Sequence, residues 1–199
     1  MMKKELALFD FDGTISSKDS MFDFFLFSFG KKRFFFSFLA LSISFLKFFF
    51  RIIDSETIKI IFINHFLLNL SEQEINLLGN KYYQKRIQSI LRSKAIDKIV
   101  WHKSKSHDIY IVTASLDIWI KDWAKEMNVN LISTRIDFKD KKYIGFFETP
   151  NCNGLEKLNR IKREINLEDY SNIYAYGDSK LGDKYLFSIA NQISFKPFR

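Results

Sequence analysis

Two aspartates two residues apart, Asp10 and Asp12, follow the apolar run Leu6-Ala7-Leu8-Phe9 and precede Gly13-Thr14. Along an extended strand the side chains of i and i+2 point the same way. The spacing therefore predicts both carboxylates on one side of the backbone, at the strand's carboxyl end, where open α/β sheets place ligands. Like charges that close need a shared proton or a cation between them. A hard divalent ion such as Mg2+, held by one or two carboxylates with substrate phosphate and water, resolves the repulsion. The same residues also read as an ordinary Asp-rich turn at the end of a strand.

Three further segments carry polar residues at the ends of apolar runs. Ile109-Tyr110-Ile111-Val112 ends in Thr113-Ala114-Ser115, Gly154-Leu155-Glu156 leads to Lys157, and Tyr174-Ala175-Tyr176-Gly177 ends in Asp178-Ser179, with Asp183 beyond. Singly, Thr113 is an ordinary strand-end residue, Lys157 a solvated helix lysine and Asp178 a turn aspartate. The ordered set of four motifs reverses that reading.

Together with Asp10-Phe11-Asp12-Gly13-Thr14, these segments resemble, in order, the four motifs of the haloacid dehalogenase-like phosphatases of the phosphoserine-phosphatase-like subfamily. The resemblance implies a Mg2+-dependent phosphomonoester hydrolase. Asp10 would attack phosphorus and form an aspartyl-phosphate, which splits one difficult hydrolysis into two easier steps. Asp12 would serve as general acid and then general base, and its backbone carbonyl would reach the metal. Thr113 would donate to a phosphate oxygen, and Lys157 would neutralise charge on the transferring group. The implied metal residues are Asp10, Asp12 and Asp178, with Asp183, Ser179 and Ser115 in support. Four residues separate Asp178 from Asp183, where the subfamily usually has three, so Asp183 is expected to orient either the metal or Lys157.

The elements that must position these residues alternate along the chain, the pattern of an α/β fold with a Rossmann-like, mostly parallel sheet flanked by helices. Strands are expected near 5–11, 108–114, 129–136, 143–147, 172–176 and 193–195. Helices are expected near 94–103, 116–127, 154–165 and 184–190, and Lys139-Asp140-Lys141-Lys142 reads as the turn of a hairpin. The catalytic core would comprise 1–17 and 92–199. Residues 18–91 form a helical cap inserted after the first strand, with helix starts at Asp54-Ser55-Glu56 and at the capping box Ser71-Glu72-Gln73-Glu74.

Thirteen of the 23 Phe fall between Phe22 and Phe50. Arg33, Ser37, Ala40, Ser44, Lys47 and Arg51 recur at helical spacing, so one polar stripe is expected on an otherwise apolar helix. Such a helix must be buried in protein, in a partner such as a second copy in a homodimer, or in lipid. A single membrane crossing is excluded, because Asp10 precedes the segment whereas Thr113, Lys157 and Asp178 follow it. Phe34 to Phe50, with only Lys47 charged, is seventeen residues, which at about 1.5 Å each barely reach across about 30 Å of hydrocarbon. Helices lying in the interface or a shallow hairpin are expected instead, with Lys31, Lys32, Arg33, Lys47 and Arg51 reaching anionic headgroups. The position of the segment after a catalytic strand argues against a signal peptide. The location expected is cytoplasmic, with the cap on the inner face of the membrane if it meets lipid.

The 31 Lys+Arg against 23 Asp+Glu leave a formal charge of +8, which favours anionic partners. A nucleic-acid binder is disfavoured because basic and aromatic residues are not interleaved on strand platforms. The complete acidic and lysine set also argues against an inert membrane-associated interaction module. The single Cys152 excludes an internal disulfide and reads as a packing residue. His65, His102 and His107 lack metal or triad spacing. The Phe-rich cap resembles that of the bacterial phosphatidylglycerophosphate phosphatase branch, as do Asp19-Ser20-Met21-Phe22 and Phe195-Lys196-Pro197-Phe198. That resemblance implies a lipid phosphate as substrate, whereas a closed cap would enclose a small metabolite such as phosphoserine.

Overall fold

The structure, a computed structural model, describes residues 3–199. Its centre is a five-stranded sheet in the order β3-β2-β1-β6-β7, formed by β1 (Lys4–Phe9), β2 (Asp108–Leu116), β3 (Asn130–Thr134), β6 (Tyr170–Gly177) and β7 (Gln192–Phe195). Every neighbouring pair is parallel. Leu6, Ala7, Leu8 and Phe9 of β1 are fully buried, which explains the unbroken apolar run: a central parallel strand is covered on both faces. The helices that cover it are α5 (Ser93–Ser104), α6 (Lys121–Glu126), α7 (Leu155–Glu164) and α8 (Lys184–Ser188).

Two expected boundaries change. The run expected as one strand over 129–136 divides, because the chain leaves β3 after Thr134 and forms β4 (Ile136–Lys139), which pairs antiparallel with β5 (Lys142–Phe147). Asp140 and Lys141 have φ of 50° and 62°, the conformation that a two-residue hairpin requires at both central positions. The helix expected over 116–127 begins later, because β2 continues to Leu116 and a single turn at Asp117–Trp119 precedes α6.

Between β1 and α5 lie four α-helices: α1 (Ser20–Ala40), α2 (Ser42–Phe49), α3 (Ser55–Leu67) and α4 (Glu72–Lys85). Both expected helix starts are present. Asp54 accepts from Thr57 N–H at 2.7 Å, and Ser71 and Glu74 form the reciprocal capping box. The β4–β5 hairpin is tied to these helices as well as to the core, through Glu72 N–H to Lys141 O at 2.8 Å and Tyr143 Oη to Asn64 Oδ1 at 2.7 Å. Phe24 and Phe25 of α1, Phe62 and Phe66 of α3, Tyr82 of α4 and Trp119 beyond β2 make one aromatic core. In it Phe24 stacks on Trp119 at 4.8 Å and Phe25 on Phe66 at 4.7 Å.

The polar stripe expected on the Phe-rich segment is not formed. Helix α1, kinked at Gly30 (φ 78°, ψ 161°), ends before Leu41 and α2 ends at Phe49, so no single helix carries the six positions from Arg33 to Arg51. The pattern is inverted locally. Ser37 is fully buried and donates to Phe34 O at 2.6 Å, whereas Leu39 is 71 % and Phe49 78 % exposed. Phe35, Phe36, Ile43, Leu46, Phe50 and Ile52 are exposed as well. Among the described residues no helix is long and apolar enough to cross a membrane.

Gly79 of α4 fixes how closely the inserted helices approach the core. A Cβ at this position would stand 2.1 Å from the backbone oxygen of Ile118, and that carbonyl cannot rotate away. Gly79→Ala is expected to cost about 1–3 kcal/mol by overpacking, despite alanine's better helix propensity. At about 2–4 °C per kcal/mol for a chain of this size, a thermal melt would register the loss. An unchanged or higher melting temperature would mean that α4 can slide away from Ile118.

Candidate active site

β1 ends at Phe9, and Phe11–Ile15 is a tight turn, so Asp10 and Asp12 lie just beyond the strand. The period-two argument of a continuous strand therefore does not extend to them. Asp10 N–H still donates to Tyr176 O at 2.9 Å, continuing the β1–β6 pairing, but two residues later the backbone turns through Gly13 at φ 77°. A Cβ on Gly13 would lie 2.3 Å from Asp178 Oδ2. Only glycine lets the turn pass this close to the β6 end.

The two carboxylates consequently face different partners. Asp10 Oδ1 accepts from Lys157 Nζ at 2.5 Å, and Asp10 Oδ2 accepts from Thr14 Oγ1 at 3.3 Å. Asp12 Oδ1 accepts from Ser20 N–H at 2.6 Å and Oδ2 from Ser115 Oγ at 2.5 Å. Ser20 Oγ accepts from Trp119 Nε1 at 2.9 Å and lies 3.1 Å from Ser115 Oγ. Asp12 is thus held by the first residue of α1 and the end of β2, with a buried tryptophan behind them.

Lys157, on the first turn of α7, is buried and bridges Asp10 and Asp183, reaching Asp183 Oδ1 at 2.7 Å. Asp183 Oδ2 accepts from the N–H groups of Asp178 and Ser179, at 3.1 and 3.0 Å. The four-residue spacing after Asp178 therefore closes a loop in which Ser179 Oγ accepts from Gly182 N–H at 2.9 Å. Burial raises the Asp10 carboxyl to about 7 against the pull of Lys157. Burial alone would lower the Lys157 ammonium, but Asp10 and Asp183 reverse this and hold it above the usual lysine range. Burial likewise raises Asp178, opposed by Arg199, whose Nη2 donates to Asp178 Oδ2 at 2.5 Å. Thr113, buried in the last half of β2, accepts from Ser115 N–H at 3.0 Å, leaving its own O–H as a donor.

Carboxylate oxygens of Asp10, Asp178 and Asp183 lie within 4.8 Å of one another. Three hard oxygen donors, partly balanced by Lys157 and Arg199, suit a cation that prefers oxygen ligands, such as Mg2+. The Asp12 carboxylate is outside this group. Its backbone carbonyl is the atom that the resemblance implicates.

Arg199, Ser20, Trp119 and Lys59 were not legible as site residues. Lys59 of α3 donates to Ala114 O at 2.5 Å and Asn151 Oδ1 at 2.7 Å, and burial lowers its ammonium to about 8. Thr14 was visible only as part of the first motif. Cys152 is buried, which pushes its thiol up to about 11. His102 is buried, with Nδ1 2.8 Å from Nδ1 of His107 and Nε2 3.0 Å from Tyr176 Oη. Neither histidine belongs to the acidic group.

A family model described as haloacid dehalogenase-like hydrolase matches residues 7–186. The chain is 30 % identical to Protein CicA of Caulobacter vibrioides over 198 residues, covering 98 % of this chain and 86 % of that one. Among solved structures it is similar to a Bordetella pertussis Tohama I protein of unknown function, with a TM-score of 0.82, 22 % identity and coverage of 96 % of this chain and 89 % of that one. It is also similar to a phospho-aspartyl intermediate analogue of phosphoserine phosphatase, with a TM-score of 0.64, 18 % identity and coverage of 96 % and 86 %. With the parallel sheet and the Asp10–Lys157–Asp183 constellation at its carboxyl edge, the match over residues 7–186 means that this chain belongs to the haloacid dehalogenase-like hydrolases.

Proposed function

We propose that this enzyme hydrolyses phosphomonoesters through an aspartyl-phosphate on Asp10. The observation that carries the reading is the buried Lys157 bridging Asp10 and Asp183 at the carboxyl edge of the sheet. A charge held there would neutralise both the nucleophile's surroundings and the transferring group. Asp10 attacks phosphorus while Asp12, aimed by Ser20 and Ser115, gives a proton to the leaving oxygen. Asp12 then takes a proton from the water that cleaves the acyl phosphate. The O–H of Thr113 donates to a phosphate oxygen. Asp10, Asp178 and the Asp12 carbonyl would hold Mg2+, with Asp183 positioning Lys157. When bound, Mg2+ supplies charge neutralisation that lets a phosphate dianion approach a carboxylate.

The substrate favoured is a lipid phosphate such as phosphatidylglycerophosphate, with residues 18–91 acting as a cap that rests on the cytoplasmic face of a membrane. The exposed apolar residues of α1 and α2 support this, as do Lys31, Lys32, Arg33, Lys47 and Arg51 on the same segment. Apolar insertion and headgroup attraction add, at about 1 kcal/mol per basic residue near an anionic surface. The variant set must follow the observed exposure. Phe34 is buried, and Phe38 and Phe45 are half-buried against the core, so the set for release is Phe35, Phe36 and Phe49. A second reading, a small metabolite such as phosphoserine, draws on the opposite charges of Asp19 and Lys59 lining one cleft. A homodimer covering the apolar face would also favour it.

The experiment is phosphate release from lipid and soluble phosphomonoesters with Mg2+ or excess chelator, alongside sedimentation with phosphatidylglycerol vesicles. Expected are Mg2+-dependent release, vesicle binding weakened by salt, and loss of binding in the Phe35, Phe36 and Phe49→Ser triple variant. Full activity in chelator would overturn the metal assignment. No vesicle binding by the parent protein would overturn the membrane assignment.

A further inference from the structure

A cleft of about 480 Å³ opens beside Asp12 and Ser115 and runs outward between α1, α2 and α3. Asp12 and Ser115, joined at 2.5 Å, and Lys59 and Asn151, joined at 2.7 Å, line it on one side, with Asp19, Ser55 and Asn153 also on its wall. The apolar part of the wall is Met21, Phe22, Phe45, Phe48, Ile58 and Phe62. Phe48 also lines a second cavity of about 740 Å³ with Phe49 and Ile52, so the apolar wall continues to the exposed side of α2. Phe22 and Phe48 remain 37 % and 41 % exposed although they line the cleft. A substrate confined to the polar inner end would leave that aromatic surface in water, at a cost of roughly 25 cal/mol per Å².

We infer that this cleft is a binding site for the hydrocarbon chain of an amphiphilic phosphomonoester, its phosphate at the Asp12 end and its chain passing Phe48 toward the α2 surface. The inference rests on the phosphatase reading for the placement of the phosphate and adds the site that holds the rest of the molecule. The occupant is a single flexible alkyl chain, because the aromatic part of the wall is continuous, with Phe62 packed on both Phe22 and Phe45 and Phe48 leading on from them to α2. Its outer end continues into the exposed apolar face proposed to meet a bilayer, so a chain could enter without crossing water.

The test uses n-alkyl phosphates from ethyl to octyl, below their micellar concentrations and with Mg2+ present. Calorimetric Kd values are measured on Asp10→Asn and kcat/KM on the parent protein. A fully buried methylene tightens binding about fourfold, so Kd is expected to fall at least tenfold from ethyl to hexyl. Phe48→Ser, at a half-exposed position the fold tolerates, is expected to flatten that slope, and Phe45→Ala to do the same. A Kd independent of chain length overturns the inference, as does a slope unchanged in both variants. A binding slope without any turnover would keep the chain site and refute the phosphatase reading. Turnover without a slope would do the reverse.

Discussion

Asp10→Asn is expected to lower kcat by about four orders of magnitude or more, because the amide cannot form the acyl phosphate and loss of a nucleophile removes a whole covalent route. Fold and substrate binding should survive. Asn keeps the shape of Asp10, can accept from Lys157 through its amide oxygen while its amide N–H donates to Thr14 Oγ1, and removes one of three crowded carboxylates. Melting temperature should therefore stay near the parent value or rise. A residual rate within tenfold of the parent would remove Asp10 from the role of nucleophile and leave it as a metal or phosphate contact.

Lys157→Met is expected to cost about 10²–10³ in kcat, the usual effect of losing one preorganised donor to the developing charge. It should also cost stability, unlike Asp10→Asn. Lys157 is buried and its ammonium is shared by Asp10 and Asp183. Removing it strands two carboxylates, and breaking a buried pair from one side costs about 3–5 kcal/mol. Mg2+ should restore part of that loss by binding the three aspartates, so the melting temperature of Lys157→Met should respond to Mg2+ more than that of the parent. A variant that melts with the parent and turns over normally would show that the bridge is neither catalytic nor structural.

Much of this site was legible because its residues stand at element ends, where apolar runs stop. Asp10, Lys157 and Asp178 each sit at such an end and Thr113 closes the apolar run of β2, and parallel pairing of β1 with β2 and β6 brings these positions to one edge. The direction of each carboxylate was less legible. Period-two reasoning holds only while the strand lasts, and β1 stops at Phe9, so Asp12 swings to Ser20 and Ser115. Arg199 lies 21 residues from Asp178 along the chain, and no local pattern marks so distant a partner. Ser20 and Trp119 come from α1 and the turn after β2, with nothing in their spacing to join them.

The Phe-rich segment failed for a different reason. Periodicity assumes one continuous helix, and Gly30 and Leu41 divide this one. After each break the inward face is reset by packing against α3, where Phe62 collects Phe34, Phe38 and Phe45. A small serine then fits the buried position at Ser37, and neighbouring phenylalanines turn outward. The composition was informative about exposed apolar surface, whereas the stripe was not.

The covalent step is tested most directly by trapping. Asp12→Asn keeps the nucleophile but lacks the base that activates water, so the phosphoenzyme should accumulate during turnover of a phosphomonoester with Mg2+. Acid quenching followed by peptide mass spectrometry should find one phosphoryl group on the peptide that contains Asp10, absent from Asp10→Asn and removed by hydroxylamine. A phosphoryl group on any other residue, or none at all in an Asp12→Asn protein that still releases phosphate, would contradict the aspartyl-phosphate route.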